Sequence, residues 1–508
     1  MTFVITQNCC KDGSCVPICP VDCIRPSTPG ADGTSMLYID PDACVDCGAC
    51  LAECPVGAIY FEDDLPAGQQ VFLGINAGYF TEHPLRARAG AARVAPAGVE
   101  PGSLRVAIVG SGPAACYAAA ELTRTDGVEV DVFERMPTPY GLVRFGVAPD
   151  HRRTKTVVSA FEPALANPNL RCYFNVTVGR DVSHQELLES HHAVIYAVGA
   201  SASRSLDIPG EQLPGSLPAA DFVAWYNGHP EHRDDDIDLT GRRAVIVGTG
   251  NVALDVARIL VSEPGRLAGT DIAEHALKSL AHSGIEEVVI LGRRGAGSAA
   301  FSVGEFLALG ELPGVDIAVE GPLGDRPDDY EGGLKYDAAV AYRDRAGRTG
   351  NRRIVFRFGA APVELLGTAR VQGVRLDSGD VLEAGLVLRA VGYRGTAVPG
   401  LPFDAERGVV PNDRGRVEPG VYVTGWIKRG PRGVIGTNRA CARETVAALL
   451  DDFRAGALGS VTQRDGIADL LAQRGVVSVD WNGWRRIEAA EQDRGTKFVS
   501  VGDLLAHV

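Results

Sequence analysis

The sequence predicts an α/β chain built on two doubly wound βαβ domains and preceded by a small cysteine-rich α+β domain. Three observations predict it. Nine of the twelve cysteines fall within the first 54 residues. A strand, glycine turn, helix and strand follow one another from RVAIVGSGPAACYAAAEL to EVDVFER, and the pattern begins again at AVIVGTGNVALDVARIL. Both leading strands are short continuous apolar runs, which suits a parallel sheet covered on both faces.

Length and composition agree with this organisation. At roughly 100 to 200 residues per domain, 508 residues make about three units, and 45% hydrophobic content supplies ordinary cores. The expected divisions are a cysteine-rich domain over 1–65 and an Ala-, Gly- and Pro-rich linker over 66–103. The first part of one nucleotide-binding domain follows over 104–203, and a second such domain is inserted over 204–395. The first domain returns over 396–508 with a helical extension that includes Trp481, Asn482, Gly483 and Trp484. A formal net charge of −14 opposes binding to a nucleic-acid backbone. The opening MTFVITQNCC has neither a basic n-region nor an apolar h-region, and no apolar run reaches the roughly 18 residues of a membrane span. The expectation is a cytoplasmic chain without membrane insertion.

Crowded cysteines in a chain without a secretion signal point to metal rather than disulfides. Cys44-x2-Cys47-x2-Cys50-x3-Cys54-Pro55 is the spacing that wraps a backbone around a cubane iron–sulfur cluster, with the cysteine before proline reaching a second cluster. Cys9-x2-Asp12-x2-Cys15-x3-Cys19-Pro20 repeats it upstream, with Asp12 in the second ligand slot. Crossed fourth ligands then place Cys44, Cys47, Cys50 and Cys19 on one [4Fe–4S] cluster and Cys9, Cys15 and Cys54 on the other. The second cluster is [3Fe–4S], or [4Fe–4S] completed by Asp12 or another cysteine. Asp12 reads equally as an iron ligand or a solvated turn residue. Cys10 is an alternative to Cys9, and Cys23 reads as a non-ligand thiol near a cluster. Zinc prefers two separated pairs closing one tetrahedron, which this tight duplicated run is not. Cys116, Cys172 and Cys441 read as small buried residues.

Gly110-x-Gly112-x-x-Ala115 sits between strand and helix, where glycine permits the turn and the helix N-terminus receives a pyrophosphate. Glu134 ends the next strand, near the offset expected of a carboxylate that binds ribose hydroxyls. In the second unit, Gly248-x-Gly250-x-x-Ala253 is followed by EEVVILGRR, which ends on Arg293 and Arg294 instead of an acid. Guanidinium groups there pair with a 2′-phosphate that an acid would repel, so NADPH is expected over NADH.

The segments VGSGPAA, FERMPTPYGLVRFGVAPDH, AVIYAVGA, GTGNVALDVARIL, GRRGAGSAAF and GWIKRGPRGVIGTN resemble the adrenodoxin-reductase type of ferredoxin-NADP reductase, from Leu104 to about Leu450. The cysteine-rich segment resembles a seven-iron bacterial ferredoxin, and the order of the two resembles bacterial ferredoxin–reductase fusions. The fold implied is an α/β flavoprotein with two dinucleotide-binding, Rossmann-like domains for FAD and NADP, carrying an N-terminal α+β dicluster ferredoxin domain. The resemblance assigns FAD contacts to Ala114, Glu134, Leu142, Val178, Trp426, Gly433, Val434 and Ile435, alongside the Gly110 and Gly112 turn. For NADP it implies Arg204, Thr249, Gly250, Asn251, Val252, Arg293, Arg294 and Glu305. His151 corresponds to an active-site histidine, and Trp426 lies at the flavin. An acid often found three positions after Glu305 is Ala308 here, which weakens a His–Glu catalytic pair.

The implied reaction takes hydride from NADPH to FAD and then passes single electrons through the fused clusters to an electron-accepting redox protein, a separate ferredoxin being one candidate. Positioning carries most of such catalysis. Rival readings are an NADPH-oxidising subunit of the glutamate-synthase kind and a non-enzymatic redox sensor gated by cluster assembly.

Overall fold

A computed structural model describes residues 2–26, 36–85, 98–345, 347–348, 350–463 and 466–508. Its frame is two six-stranded sheets. The first runs Arg416–Glu418, Val421–Val423, Ala193–Tyr196, Leu104–Val109, Val128–Glu134, Leu170–Phe174, all parallel except the antiparallel edge strand Arg416–Glu418. Leu104–Val109 and Ala193–Tyr196 are buried throughout, as their continuous apolar sequences require of central parallel strands. The helices Pro113–Leu122 and Thr437–Arg454 pack together over one face of this sheet.

The second sheet runs Ser216–Pro218, Leu386–Arg389, Arg243–Val247, Glu287–Gly292, Arg352–Phe358, Val315–Glu320, parallel in every pairing. A meander of Pro362–Gly367, Val371–Leu376 and Val381–Glu383 closes one side, and the helix Asn251–Val261 lies against the other. Ala202–Ser203 pairs antiparallel with Tyr393–Arg394, so the chain enters and leaves the second sheet's domain through a short two-stranded ribbon.

The cysteine-rich domain is two antiparallel ladders of three residues per strand, Phe3–Ile5 with Ile59–Phe61 and Ile24–Pro26 with Leu37–Ile39, plus one-turn helices Cys15–Ile18 and Ala49–Ala52. Such short ladders hold little interior of their own. The expected linker over 66–103 instead contributes the helix Val71–Glu82; residues 86–97 of it lie outside the described residues. Phe72, Ile75, Tyr79 and Phe80 pack with Val4, Tyr38 and Leu65 on one side and with Val303 of the second domain on the other. Asn76, 2% exposed, joins the two ladders. Its Oδ1 accepts from Ile39 N at 3.0 Å and Ile5 N at 3.3 Å, and its Nδ2 donates to Ile5 O at 2.9 Å. Tyr330 Oη donates to Ile75 O at 2.8 Å, an approach that Gly78 permits, since a Cβ there would lie 2.5 Å from the hydroxyl.

The C-terminal extension does more than cover the first sheet. Trp484, in the helix Trp481–Arg494, is buried in the first domain's core, but Lys497 beyond it reaches the second. Its Nζ lies 2.6 Å from Asp271 and donates to Arg144 O at 3.2 Å, while Lys155 approaches the same Asp271 at 2.7 Å. Burial, and then the neighbouring Lys155, push Lys497 down to about 7.

Two outcomes follow from these contacts. Asn76→Ala leaves buried strand groups of Ile5 and Ile39 unpaired, at about 1–3 kcal/mol each. Equilibrium denaturation followed at the cysteine-rich domain is expected to show the loss, and an unmoved midpoint would count against Asn76 as the joint. For Lys497, the folded chain binds fewer protons than the unfolded chain between about 7 and the ordinary value of 10.5, so this group's contribution to stability rises with pH across that window. The unfolding free energy of the parent is therefore expected to rise relative to that of Lys497→Met from pH 7 to pH 9. A constant difference would mean that Lys497 stays charged in the fold.

Candidate iron–sulfur and dinucleotide sites

Two cavities in the cysteine-rich domain divide the cysteines in the crossed manner expected. Cys19, Cys44, Cys47 and Cys50 line one, together with Cys23, whose Sγ is 3.4 Å from that of Cys19. Cys9, Cys15 and Cys54 line the other, with Cys10 and Asp12. No cysteine among the described residues is bridged to another. Burial and neighbouring thiols push Cys15 upward, and burial and Cys44 push Cys50 up to about 11. Thiols so crowded and dry favour the protonated form on their own, and a bound cation inverts that preference. The donor sets therefore fit soft iron centres: four thiols of the two cysteine motifs line one cavity, with Cys23 beside them, and three line the other, with Cys10 beside them.

Asp12 lines the second cavity but is held by the flavin domain. Its side chain is only 5% exposed, so it is not a solvated turn residue. Both carboxylate oxygens are engaged: Oδ1 accepts from Ser14 N at 2.9 Å and Arg439 Nη1 at 3.0 Å, and Oδ2 accepts from Tyr117 Oη at 2.9 Å. Arg439 and Tyr117 belong to the two helices that flank the first glycine turn.

At that turn, Gly110 has φ +104° and a Cβ would lie 2.6 Å from Ala197 O. Gly112 caps the helix Pro113–Leu122, and a Cβ there would meet nothing within 4 Å, leaving room for a pyrophosphate at the helix N-terminus. Glu134 accepts from Ser111 N at 2.9 Å and Met136 N at 3.0 Å, which ties the second strand's end to the glycine turn. Leu142 and Val198 are exposed apolar side chains at the same end of the sheet, surface that a flat cofactor would cover. Val178 lies in a bridge with Val182, on the turn that follows the edge strand Leu170–Phe174. Gly425, at φ +74°, brings the returning chain against Ala114, where a Cβ would lie 2.5 Å away. Trp426 follows and packs its ring 5.3 Å from Tyr393. Gly433, Val434 and Ile435 precede the helix Thr437–Arg454, with Val434 N donating to Thr437 Oγ1 at 3.2 Å. These features fit FAD.

The second turn repeats the logic. Gly248 has φ +121° with Ala390 O 2.3 Å from where a Cβ would be, and Gly250 opens onto free space. Thr249 lies against Gly292 at the end of the next strand, and Val252 packs into the core beneath. Asn251 Oδ1 accepts from Ser302 N at 2.8 Å. Arg293 and Arg294 leave that strand's end exposed, with no ion pair to any described residue. Arg204 stands on the interdomain ribbon, its Nε 3.3 Å from Tyr393 O.

Where the two domains face each other, His151 Nε2 lies 3.6 Å from Glu305 and 3.8 Å from Asp255. These are ion-pair distances, longer than a hydrogen bond. Although Ala308 stands where a second acid is often found, Glu305 itself faces the histidine. Burial pushes the Glu305 carboxyl up, and Asp255 adds to the shift against the opposing pull of His151. Beside them Arg258 bridges the domains, with Nε 2.6 Å and Nη2 3.0 Å from Asp150 and Nη2 2.7 Å from Asp255. Burial pushes Asp150 up, but Arg258 outweighs it and holds the carboxyl below its usual range. Asp255 and Arg258 lie within the quoted GTGNVALDVARIL, and their three-residue spacing was the available signal for this pair.

Comparison with known proteins fits this geometry. The pyridine nucleotide-disulphide oxidoreductase family matches residues 104–295, and the 4Fe-4S binding domain family matches residues 37–60. A probable ferredoxin/ferredoxin-NADP reductase of Mycobacterium tuberculosis is 45% identical over 552 aligned positions, covering 100% of this chain and 95% of that protein. The NADPH:adrenodoxin oxidoreductase of Arabidopsis thaliana is 39% identical and covers 79% of this chain and 95% of its own length. The solved structure of Mycobacterium tuberculosis FprA in complex with NADPH superposes with a TM-score of 0.76 at 43% identity, over 80% of this chain and 99% of that one. With a relative of that identity aligned along its whole length, the chain belongs to the ferredoxin/ferredoxin-NADP reductase family.

Proposed function

We propose that the chain is an NADPH:ferredoxin oxidoreductase that draws hydride from NADPH onto FAD and delivers the electrons singly, through its own iron–sulfur domain, to a one-electron carrier protein. The observation that carries this reading is that a cysteine-lined cavity abuts the Gly433–Asn438 turn, so both redox sites meet inside one chain. FAD supplies the two-electron to one-electron conversion, and the clusters accept one electron each. The protein's part is placement. Gly110, Gly112, Ala114 and Glu134 hold the dinucleotide end of FAD, and Leu142, Val178, Trp426, Gly433, Val434 and Ile435 border its ring. Amides at the start of the helix Thr437–Arg454 favour negative charge there. Thr249, Gly250, Asn251 and Val252 cradle NADPH, Arg204, Arg293 and Arg294 take its 2′-phosphate, and Glu305 with His151 borders the nicotinamide end.

For the clusters, Cys19, Cys44, Cys47 and Cys50 hold a [4Fe–4S] centre. Cys9, Cys15 and Cys54 hold the second centre, [3Fe–4S] with these three thiolates alone or [4Fe–4S] if Cys10 of the same cavity completes it; the hydrogen bonds of Asp12 to Tyr117 and Arg439 favour the former over ligation by Asp12. Twelve unbridged cysteines suit a reducing compartment such as the cytoplasm. Among the described residues no helix is long and apolar enough to cross a membrane.

Anaerobic NADPH is expected to bleach the bound flavin and then to generate a reduced-cluster EPR signal, following a three-iron signal in the oxidised protein. Flavin reduction that never reaches the clusters would sink the proposal. Replacing either Arg293 or Arg294 singly with Gln removes a charge-assisted hydrogen bond of about 1.5–3 kcal/mol. The KM for NADPH should rise by roughly ten- to a hundred-fold, while the KM for NADH changes little. An equal rise for both nucleotides would place these arginines away from the 2′-phosphate.

A further inference from the structure

We propose that Asp12 is a positioning residue: it latches the Cys9–Cys15 loop to the flavin domain, so that electrons enter the iron–sulfur domain at the three-cysteine cavity and leave from the four-cysteine cavity. The inference rests on the function proposed above and adds the order of the two centres and the residue that fixes it.

The latch is built from both sides. Asp12 accepts from Tyr117 at 2.9 Å and pairs with Arg439 at 3.0 Å, with Ser14 bridging the aspartate and the arginine. Burial and the Asp12 carboxylate keep the Tyr117 phenol protonated, as a donor must be. One residue before the aspartate's neighbour, Cys10 O accepts from Gly436 N at 2.8 Å. Gly436 has no side chain to separate the two backbones, and a Cβ there would lie 2.1 Å from Asp12 N. Cys10, Val56, Ala114, Tyr117 and Tyr140 share one buried apolar cluster, against which Cys9, Cys54 and Ile435 pack. The three-cysteine cavity is thus walled on one side by the flavin domain.

The four-cysteine cavity has the opposite surroundings. Its Cys47 is exposed, and Val21 and Val45 on its wall are 40% and 56% exposed. A carrier protein can approach this cavity directly, whereas the flavin domain already occupies one side of the other. One NADPH supplies two electrons and a proton as hydride. The electrons leave the flavin one at a time, each reducing an iron–sulfur centre by one electron, and the flavin proton returns to solvent.

The test uses the intact, cofactor-loaded chain and the variants Arg439→Gln, Tyr117→Phe, Arg439→Lys and Asp12→Asn. In Arg439→Gln and Tyr117→Phe, amide exchange over residues 9–15 is expected to accelerate about ten-fold or more, as loss of a charge-assisted bond implies. Iron content and the EPR signal of the oxidised protein should match the parent, and so should flavin reduction by NADPH. Subsequent cluster reduction, followed by anaerobic stopped flow and freeze-quench EPR, should slow about ten-fold or more, with Arg439→Lys recovering most of the rate. Unchanged cluster reduction despite faster exchange would overturn the proposal, since the contact would then be structural only. Altered iron content or EPR in Asp12→Asn, with Arg439→Gln silent, would overturn it in favour of iron ligation by Asp12. If NADPH leaves the parent's flavin oxidised, the proposed function fails. The latch is then judged on exchange and on cluster reduction by flavin photoreduced with light and EDTA.

Discussion

The cysteine-rich domain is too small to hold itself together, and much of the architecture answers that constraint. Two ladders of three residues per strand enclose only a small core of Phe3, Ile5, Ile24, Leu37, Ile39 and Ile59 beside the cysteines, and a domain of this size ordinarily needs metal, a disulfide or a partner surface as well. Disulfides are absent among the described cysteines, so metal and partner surfaces remain. Val56 and Ala58 join the flavin domain's core, while Val4, Tyr38 and Leu65 join a cluster built on the helix Val71–Glu82 and completed by Val303 of the second nucleotide domain. The contacts that fold the domain are therefore the contacts that position it. A freely tethered ferredoxin would have to find the flavin by diffusion within its linker's reach, whereas this one is seated.

That constraint also explains which parts of the structure were legible in the sequence. The two sheets were legible because their signals are local: a continuous apolar strand, a glycine that must adopt positive φ, and a helix that starts at the turn. The cysteine cavities were legible because ligand spacing is local too. The helix Val71–Glu82 was not. Its sequence, VFLGINAGYFTE, scatters apolar residues around the helix, with Val71 left exposed and the polar Asn76 on the buried face, and Gly74 and Gly78 lower its intrinsic helix propensity. Read alone it lacks the one-sided apolar stripe of a surface helix, and only the surfaces it fills, with Tyr330 against Gly78, make it one.

Asp12 illustrates the limit from the other direction. Its motif predicts a ligand slot, and a ligand slot invites either iron or water. The actual partners, Tyr117 and Arg439, lie 105 and 427 residues away in sequence. A similar limit applies to Glu305. Ala308 stands where a second acid is often found, and the inserted domain places Glu305 and Asp255 beside the histidine across the junction. In both cases the local motif named the right residue type and the fold chose its partner.

Charge distribution supplies the last connection. The chain carries 64 acidic residues against 50 lysines and arginines, so carboxylates are in excess and cations are readily paired. Arg258, Arg439 and Lys497 are each committed to carboxylates at a junction between domains. Arg293 and Arg294 have no ion pair to any described residue and stand side by side at the end of a central strand next to a glycine turn. Their exposure keeps the long side chains hydrated until an anion arrives, and two planar forks at that spot match a phosphate monoester better than a point charge would. In the function proposed above, the same excess of acid that disfavours nucleic acid leaves these two guanidinium groups as the cations available to a 2′-phosphate at this strand end.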